Sequence, residues 1–91
     1  MTIEFTQAAW DDFSFWLEMD MEKALKINTL IISIWQNPFK GLGKPEPLKH
    51  QLKGFWSRRI NHEHRLVYRV SGKKGVDQKI SIISCQFHYN D

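Results

Sequence analysis

A single cysteine, Cys85, stands in a chain of 91 residues, so no internal disulfide can form. The N-terminus shows no positive charge followed by an apolar stretch and a small-residue cleavage site, and the expected setting is therefore a reducing cytoplasm. Long hydrophobic runs are also missing. The longest apolar stretches, 30–35 with one serine and 80–85 with two, fall far short of the ~20 residues needed to cross a bilayer. There is no Walker-type glycine loop and no dinucleotide fingerprint. His62-Glu63-His64 puts two imidazoles at i and i+2, and Cys85 stands three before His88, but neither spacing completes a known ligand set. No metal and no cofactor is expected. No linker divides the chain, so 1–91 reads as one domain with a single core.

Acidic residues are scarce in the second half. Residues 40–91 carry eleven Lys and Arg against four acids, a balance of +7, whereas 1–39 carry six acids against two bases, a balance of −4. Four Trp and six Phe accompany this asymmetry. A basic half interleaved with aromatics suits a polyanion, of which nucleic acid is the commonest, although a merely solvated basic sheet would have the same composition.

The patterning predicts an α+β fold in the order β-α-α-β-β-β, with two N-terminal helices packed on a mostly antiparallel twisted sheet. Residues 2–5 read as a strand. Thr6 is a candidate N-cap for a helix to about 19, with Trp10, Phe13, Trp16 and Leu17 on one face. Asp20 is placed to cap a second helix over 21–36, apolar on two stripes: Leu25, Asn28, Ile32 and Trp35, and Ala24, Ile27, Ile31 and Ile34. Such a wide arc should lie between the first helix and a sheet. Asn37-Pro38 ends it. Two Gly, three Pro and two Lys in residues 38–47 make a stiff basic loop, and 48–52 reads as a short strand or turn. Strands are expected over 55–61, 64–71 and 79–89. In the middle one Leu66, Tyr68 and Val70 alternate with Arg65, Val67 and Arg69; in the last, Ile83, Cys85, Phe87 and Tyr89 alternate with Ile82, Ser84, Gln86 and His88.

Cleaving an RNA backbone without metal needs a base for the 2′-hydroxyl proton, an acid for the leaving oxygen, and cations for the charge that builds on phosphorus. Glu46, stiffened between Pro45 and Pro47 with Lys44 and Lys49 nearby, is a candidate base, though an ordinary exposed glutamate would read the same. His88 is a candidate acid because imidazole titrates near neutrality, and Tyr89 could stack or pack. Arg58, Arg59, Arg65 and Arg69, with Lys44, Lys49 and Lys53, favour a phosphate-binding surface, since arginine's planar fork matches phosphate. Cys85 lies on an apolar row, where a free thiol is inert.

The run GKPEPLKH at 43–50, followed by Leu52, GFWSRRI at 54–60 and EHRLVY at 63–68, closely resembles the Txe/YoeB family of toxins within the RelE/ParE superfamily. The resemblance extends to Trp10-Asp11-Asp12, Pro38-Phe39, Cys85 and His88-Tyr89. It implies a RelE-like fold, similar to microbial ribonucleases, and a ribosome-dependent mRNA interferase that cuts the codon in the A site of the 70S ribosome. On matching positions Glu46 resembles the general base, His88 the general acid, and Arg65 the stabiliser of the phosphorane-like transition state. Arg59 and Tyr89 resemble phosphate and base contacts, supported by Lys49. The resemblance also implies a YefM/Axe-like antitoxin whose acidic C-terminal segment folds on the toxin, and a homodimer. Gln86-Phe87 stands where the family has a basic residue followed by tyrosine, and the loop 71–78 is longer and more basic than in the family's best-known members. The alternatives are a ParE-like toxin that inhibits DNA gyrase, and a non-catalytic ribosome- or RNA-binding module.

Overall fold

The computed structural model describes residues 1–87. Strand β1 (Thr2–Phe5) leads into helices α1 (Gln7–Met19) and α2 (Met21–Gln36). These are followed by a two-residue strand β2 (Glu46–Pro47), a 3-10 turn (His50–Leu52), and strands β3 (Phe55–Arg59), β4 (Arg65–Ser71) and β5 (Lys79–Ser84). The sheet runs β1-β5-β4-β3-β2. β1 lies parallel to β5, while β5, β4, β3 and β2 pair antiparallel. No helix among the described residues is long and apolar enough to cross a membrane.

Both caps act as their residue types predict. The Thr6 hydroxyl accepts from the Ala9 amide at 3.1 Å and donates to the Ile83 carbonyl at 3.0 Å, tying the start of α1 to β5. The Asp20 carboxylate accepts from the Lys23 amide at 3.4 Å and pairs with its Nζ at 2.8 Å, opening α2.

Periodicity marked the helices correctly and included the buried stripe of α2, but it drew the buried arc of each helix too wide. α1 inserts Ala9 and Trp16, with Phe13 partly covered, whereas Trp10 and Leu17 are 50% and 40% exposed. The helix passes so close to the end of β5 that Cys85 Sγ reaches the Ala9 carbonyl at 3.5 Å, and Ala9 is fully buried there. Trp10 turns to the rim, edge-on to Phe5 at 5.8 Å. In α2, Ala24, Ile27, Leu30 and Ile34 join the core with Leu66, Tyr68, Ile80 and Ile82, while the stripe of Leu25, Asn28, Ile32 and Trp35 is exposed. The second helix is thus buried on one side rather than sandwiched.

The strand bounds also differ from the pattern. β3 stops at Arg59 because the Asn61 side chain accepts from the Glu63 and His64 amides at 2.8 and 2.7 Å, folding 60–64 into a tight turn. β5 stops at Ser84 rather than continuing to 89. Val67 pairs with Ser84 but Tyr68 with Ile82, so Ile83 is an extra residue in a bulge. The bulge shifts the alternation by one, so that Ile80 and Ile82 before it and Cys85 after it are all buried; Phe87, expected beside Cys85, lies beyond the end of the strand with φ +62° and is 61% exposed.

Candidate functional site

The face of the sheet turned away from the helices carries the candidate residues, and register decides which of them meet. Glu46 opposes Ser57, Ser57 opposes Val67 and Val67 opposes Ser84, so these four form one row across the outer face. Arg59 and Arg65 face each other one row along on the same side. Directly opposed like charges cost stability, and neither arginine makes a salt bridge among the described residues. Two guanidinium groups held this way have the charge and donor geometry that suit an anion.

Glu46 is exposed on a short edge strand, where the missing donors of its flanking prolines are tolerated because the outer edge needs none. Arg65 is held more firmly. Its amide donates to the Phe87 carbonyl at 2.8 Å, and its guanidinium Nη1 to the carbonyls of Asn61 at 2.6 Å and His64 at 3.2 Å. Burial, and after it the charge of Arg59, pull the Arg65 guanidinium below its ordinary pKa, while the Glu46 carboxylate pushes it up. The three groups therefore share one electrostatic neighbourhood. Lys49 is exposed just before the 3-10 turn, and Arg69 is exposed with its guanidinium carbon 5.9 Å from the Phe55 ring. His88 and Tyr89 lie outside the described residues.

Arg58 does not belong to the basic surface. It is fully buried on the helix side of β3. Its Nε donates to the Tyr68 hydroxyl at 3.0 Å, Nη1 to Ser33 Oγ and the Leu42 carbonyl at 2.8 Å each, and Nη2 to the carbonyls of Asn37 at 2.8 Å and Lys40 at 3.2 Å. Tyr68 in turn donates to the Pro38 carbonyl. The clasp organises residues 37–42, and the loop then reaches β3 through Gly43, whose carbonyl accepts from the Arg59 amide at 2.6 Å. It thus shapes the approach to Glu46. Strand parity distinguishes Arg58 from Arg59; composition counted them together.

His64, weighed with His62 and Glu63 as a metal ligand, is buried and uses Nδ1 to accept the Phe87 amide at 2.7 Å. Among the described residues no group of His, Cys, Asp and Glu has the arrangement of a metal site. The Cys85 thiol is pushed up to about 12, first by burial and then by the charge of Asp12, which leaves it protonated at neutral pH.

The sequence profile of the YoeB-like toxins of bacterial type II toxin-antitoxin systems matches residues 5–89. Toxin YoeB of Escherichia coli K12 is 48% identical over 89 residues, spanning 98% of this chain and 100% of the relative. The YoeB/ParE toxin from Agrobacterium tumefaciens has a similar structure, with a TM-score of 0.91 and 50% identity, covering 98% of this chain and 100% of that one. The YoeB of Staphylococcus aureus superposes both as a dimer, at TM-score 0.85 and 46% identity, and in a heterotetrameric complex with YefM, at 0.83 and 44%, each covering 98% of both chains. With this coverage, and with the described strands and helices in place, the chain belongs to the family of YoeB-like toxins of type II toxin-antitoxin systems.

Proposed function

We propose that the protein is a ribosome-dependent endoribonuclease that cuts mRNA in the A site without a metal. In this reading Glu46 takes the proton of the 2′-hydroxyl as its oxygen attacks phosphorus, and the bond from phosphorus to the 5′-oxygen breaks. His88 protonates that leaving oxygen, producing a cyclic phosphate on one fragment and a 5′-hydroxyl on the other. Arg65 stabilises the charge on the phosphoryl oxygens, Arg59 and Lys49 hold the backbone, and Tyr89 contacts a base. The observation that carries the proposal is the sharing of one sheet face by Glu46, Arg59 and Arg65, with the opposed arginines lacking an acidic ion-pair partner among the described residues.

The same basic face suits the acidic segment of a YefM-like antitoxin, which would cover it in the cytoplasm, and a homodimer is the assembly expected from the S. aureus relative. Primer extension on a defined mRNA, with purified protein and 70S ribosomes halted at a known codon, tests the activity. New ends within the A-site codon only when ribosomes are present are expected. Intact mRNA together with inhibited gyrase supercoiling would replace this reading with the gyrase one, and ribosome binding without new ends would replace it with a binding module.

A further inference from the structure

Beyond Ser84 the chain leaves the regular ladder, so its backbone polar groups must find other partners. Asp12 Oδ2 accepts the Cys85 amide at 3.0 Å and Trp16 Nε1 donates to the Cys85 carbonyl at 2.8 Å. Phe87 is held at both ends of its peptide frame: its amide donates to His64 Nδ1 at 2.7 Å, and its carbonyl accepts from the Arg65 amide at 2.8 Å. Two consecutive residues of β4 and the turn before it thus grip a single residue of the C-terminal segment. Phe87 has φ +62°, a left-handed conformation that a residue with a Cβ keeps only where its surroundings impose it.

His64 is built for this contact. Its ring is buried, edge-on to Trp16 at a centroid distance of 4.9 Å and tilted against Phe87 at 5.4 Å. Its own backbone is fixed by the Asn61 side chain at 2.7 Å. Accepting an amide requires a lone pair on Nδ1, which assigns the proton of the neutral ring to Nε2, the nitrogen 3.5 Å from Glu63 Oε1.

We propose that His64 is a positioning residue for the candidate acid: by holding the Phe87 amide on Nδ1 it fixes the point from which His88 departs, next to Arg65. The proposal rests on the nuclease reading for its effect on rate, but the clamp itself can be measured without activity. Asparagine presents a side-chain oxygen near the place of Nδ1, glutamine presents one near Nε2, and phenylalanine keeps the ring without an acceptor.

The full-length protein and its His64→Asn, His64→Gln and His64→Phe variants are compared by nitrogen-15 NMR, for imidazole tautomer and Phe87 amide exchange, and by cleavage on programmed ribosomes. The expected result is an Nε2-protonated ring and a slowly exchanging Phe87 amide in the parent, both the slow exchange and the rate largely retained by His64→Asn. In His64→Gln and His64→Phe the protection is lost, and kcat falls by about 10²-fold, the cost of a misplaced catalytic group, with KM little changed. A protected amide and parental rate in His64→Phe would overturn the proposal. So would an Nδ1-protonated ring, or equal losses in His64→Asn and His64→Phe that follow only their melting temperatures. If the parent cleaves nothing, the nuclease reading fails, and tautomer and exchange alone decide whether the clamp exists.

Discussion

Arg58 Nε lies 3.0 Å from the Tyr68 hydroxyl inside the core, and no carboxylate shares the contact: every hydrogen bond of this buried cation goes to a hydroxyl or a backbone carbonyl. Burial raises the pKa of the Tyr68 phenol, an effect that its hydrogen bond from Arg58 opposes. Replacing Arg58 with methionine leaves the carbonyls of residues 37, 40 and 42 without donors. At about 1 kcal/mol or more for each orphaned group, the expected loss exceeds about 3 kcal/mol. Urea unfolding followed by tryptophan fluorescence measures it, and an unchanged midpoint would refute the clasp.

Glu46→Gln and Arg65→Lys are expected to fold as the parent does, since Glu46 is exposed and lysine keeps both the stem and the charge at 65. Cleavage on programmed ribosomes should fall by ~10²–10⁴-fold in Glu46→Gln, the usual cost of losing a general base. Arg65→Lys should also fall, because an ammonium cannot reproduce the planar fork. Full activity in both variants would remove these residues from the chemistry.

Gly43 is the point where the loop meets β3, with φ +80° and its would-be Cβ 2.7 Å from Leu30 Cδ2 and 3.1 Å from the Arg59 carbonyl oxygen. Gly43→Ala should therefore cost about 1–3 kcal/mol through backbone strain and crowding. A domain of this size loses about 4–8 °C of melting temperature per kcal/mol. Displacement of the loop should lower cleavage as well, so a variant with parental melting and parental rate would show that the approach is not needed there.

The Cys85 thiol, pushed up to about 12 in the folded protein, ionises near ~8.5 when unfolded. A folded-state pKa above the unfolded one on an acid means that the native state retains the proton longer. Stability from this group is therefore full below about pH 8.5 and declines as pH rises towards 12. Native protein at pH 8 should resist a thiol reagent that labels it rapidly in guanidinium. The urea midpoint should fall between pH 8 and 10 in the parent and less steeply in Cys85→Ala; equal slopes would assign the decline to other groups.

Local chemistry was legible wherever a residue acts on its immediate neighbours. Thr6 and Asp20 cap the helices they precede, Asn37-Pro38 ends α2, and the antiparallel pairing of β3, β4 and β5 follows the short connections. Alternation along β4 put Arg65 on the face opposite Leu66 and Tyr68, and register adds Glu46 to that face. The two-residue pairing that does so was not legible, because between two prolines only the opposing strand gives it a register. The bulge at Ile83 likewise depends on what β4 offers, and it reverses the parity of everything after it. Arg58 and His64 escaped because their partners lie many positions away, in the 33–42 segment and at Phe87.

The N-terminal strand pairs in parallel with the last strand, Thr2 opposite Lys79 through Phe5 opposite Ile82, and the seam joins residues about as far apart as the chain allows. During synthesis β1 emerges first and has no strand to pair with until β5 has cleared the exit tunnel. The Arg65 amide likewise waits for the Phe87 carbonyl, which follows β5 in the chain. A nascent copy therefore cannot close this seam, nor in the proposed reading act on the ribosome that is making it, before β5 has left the tunnel.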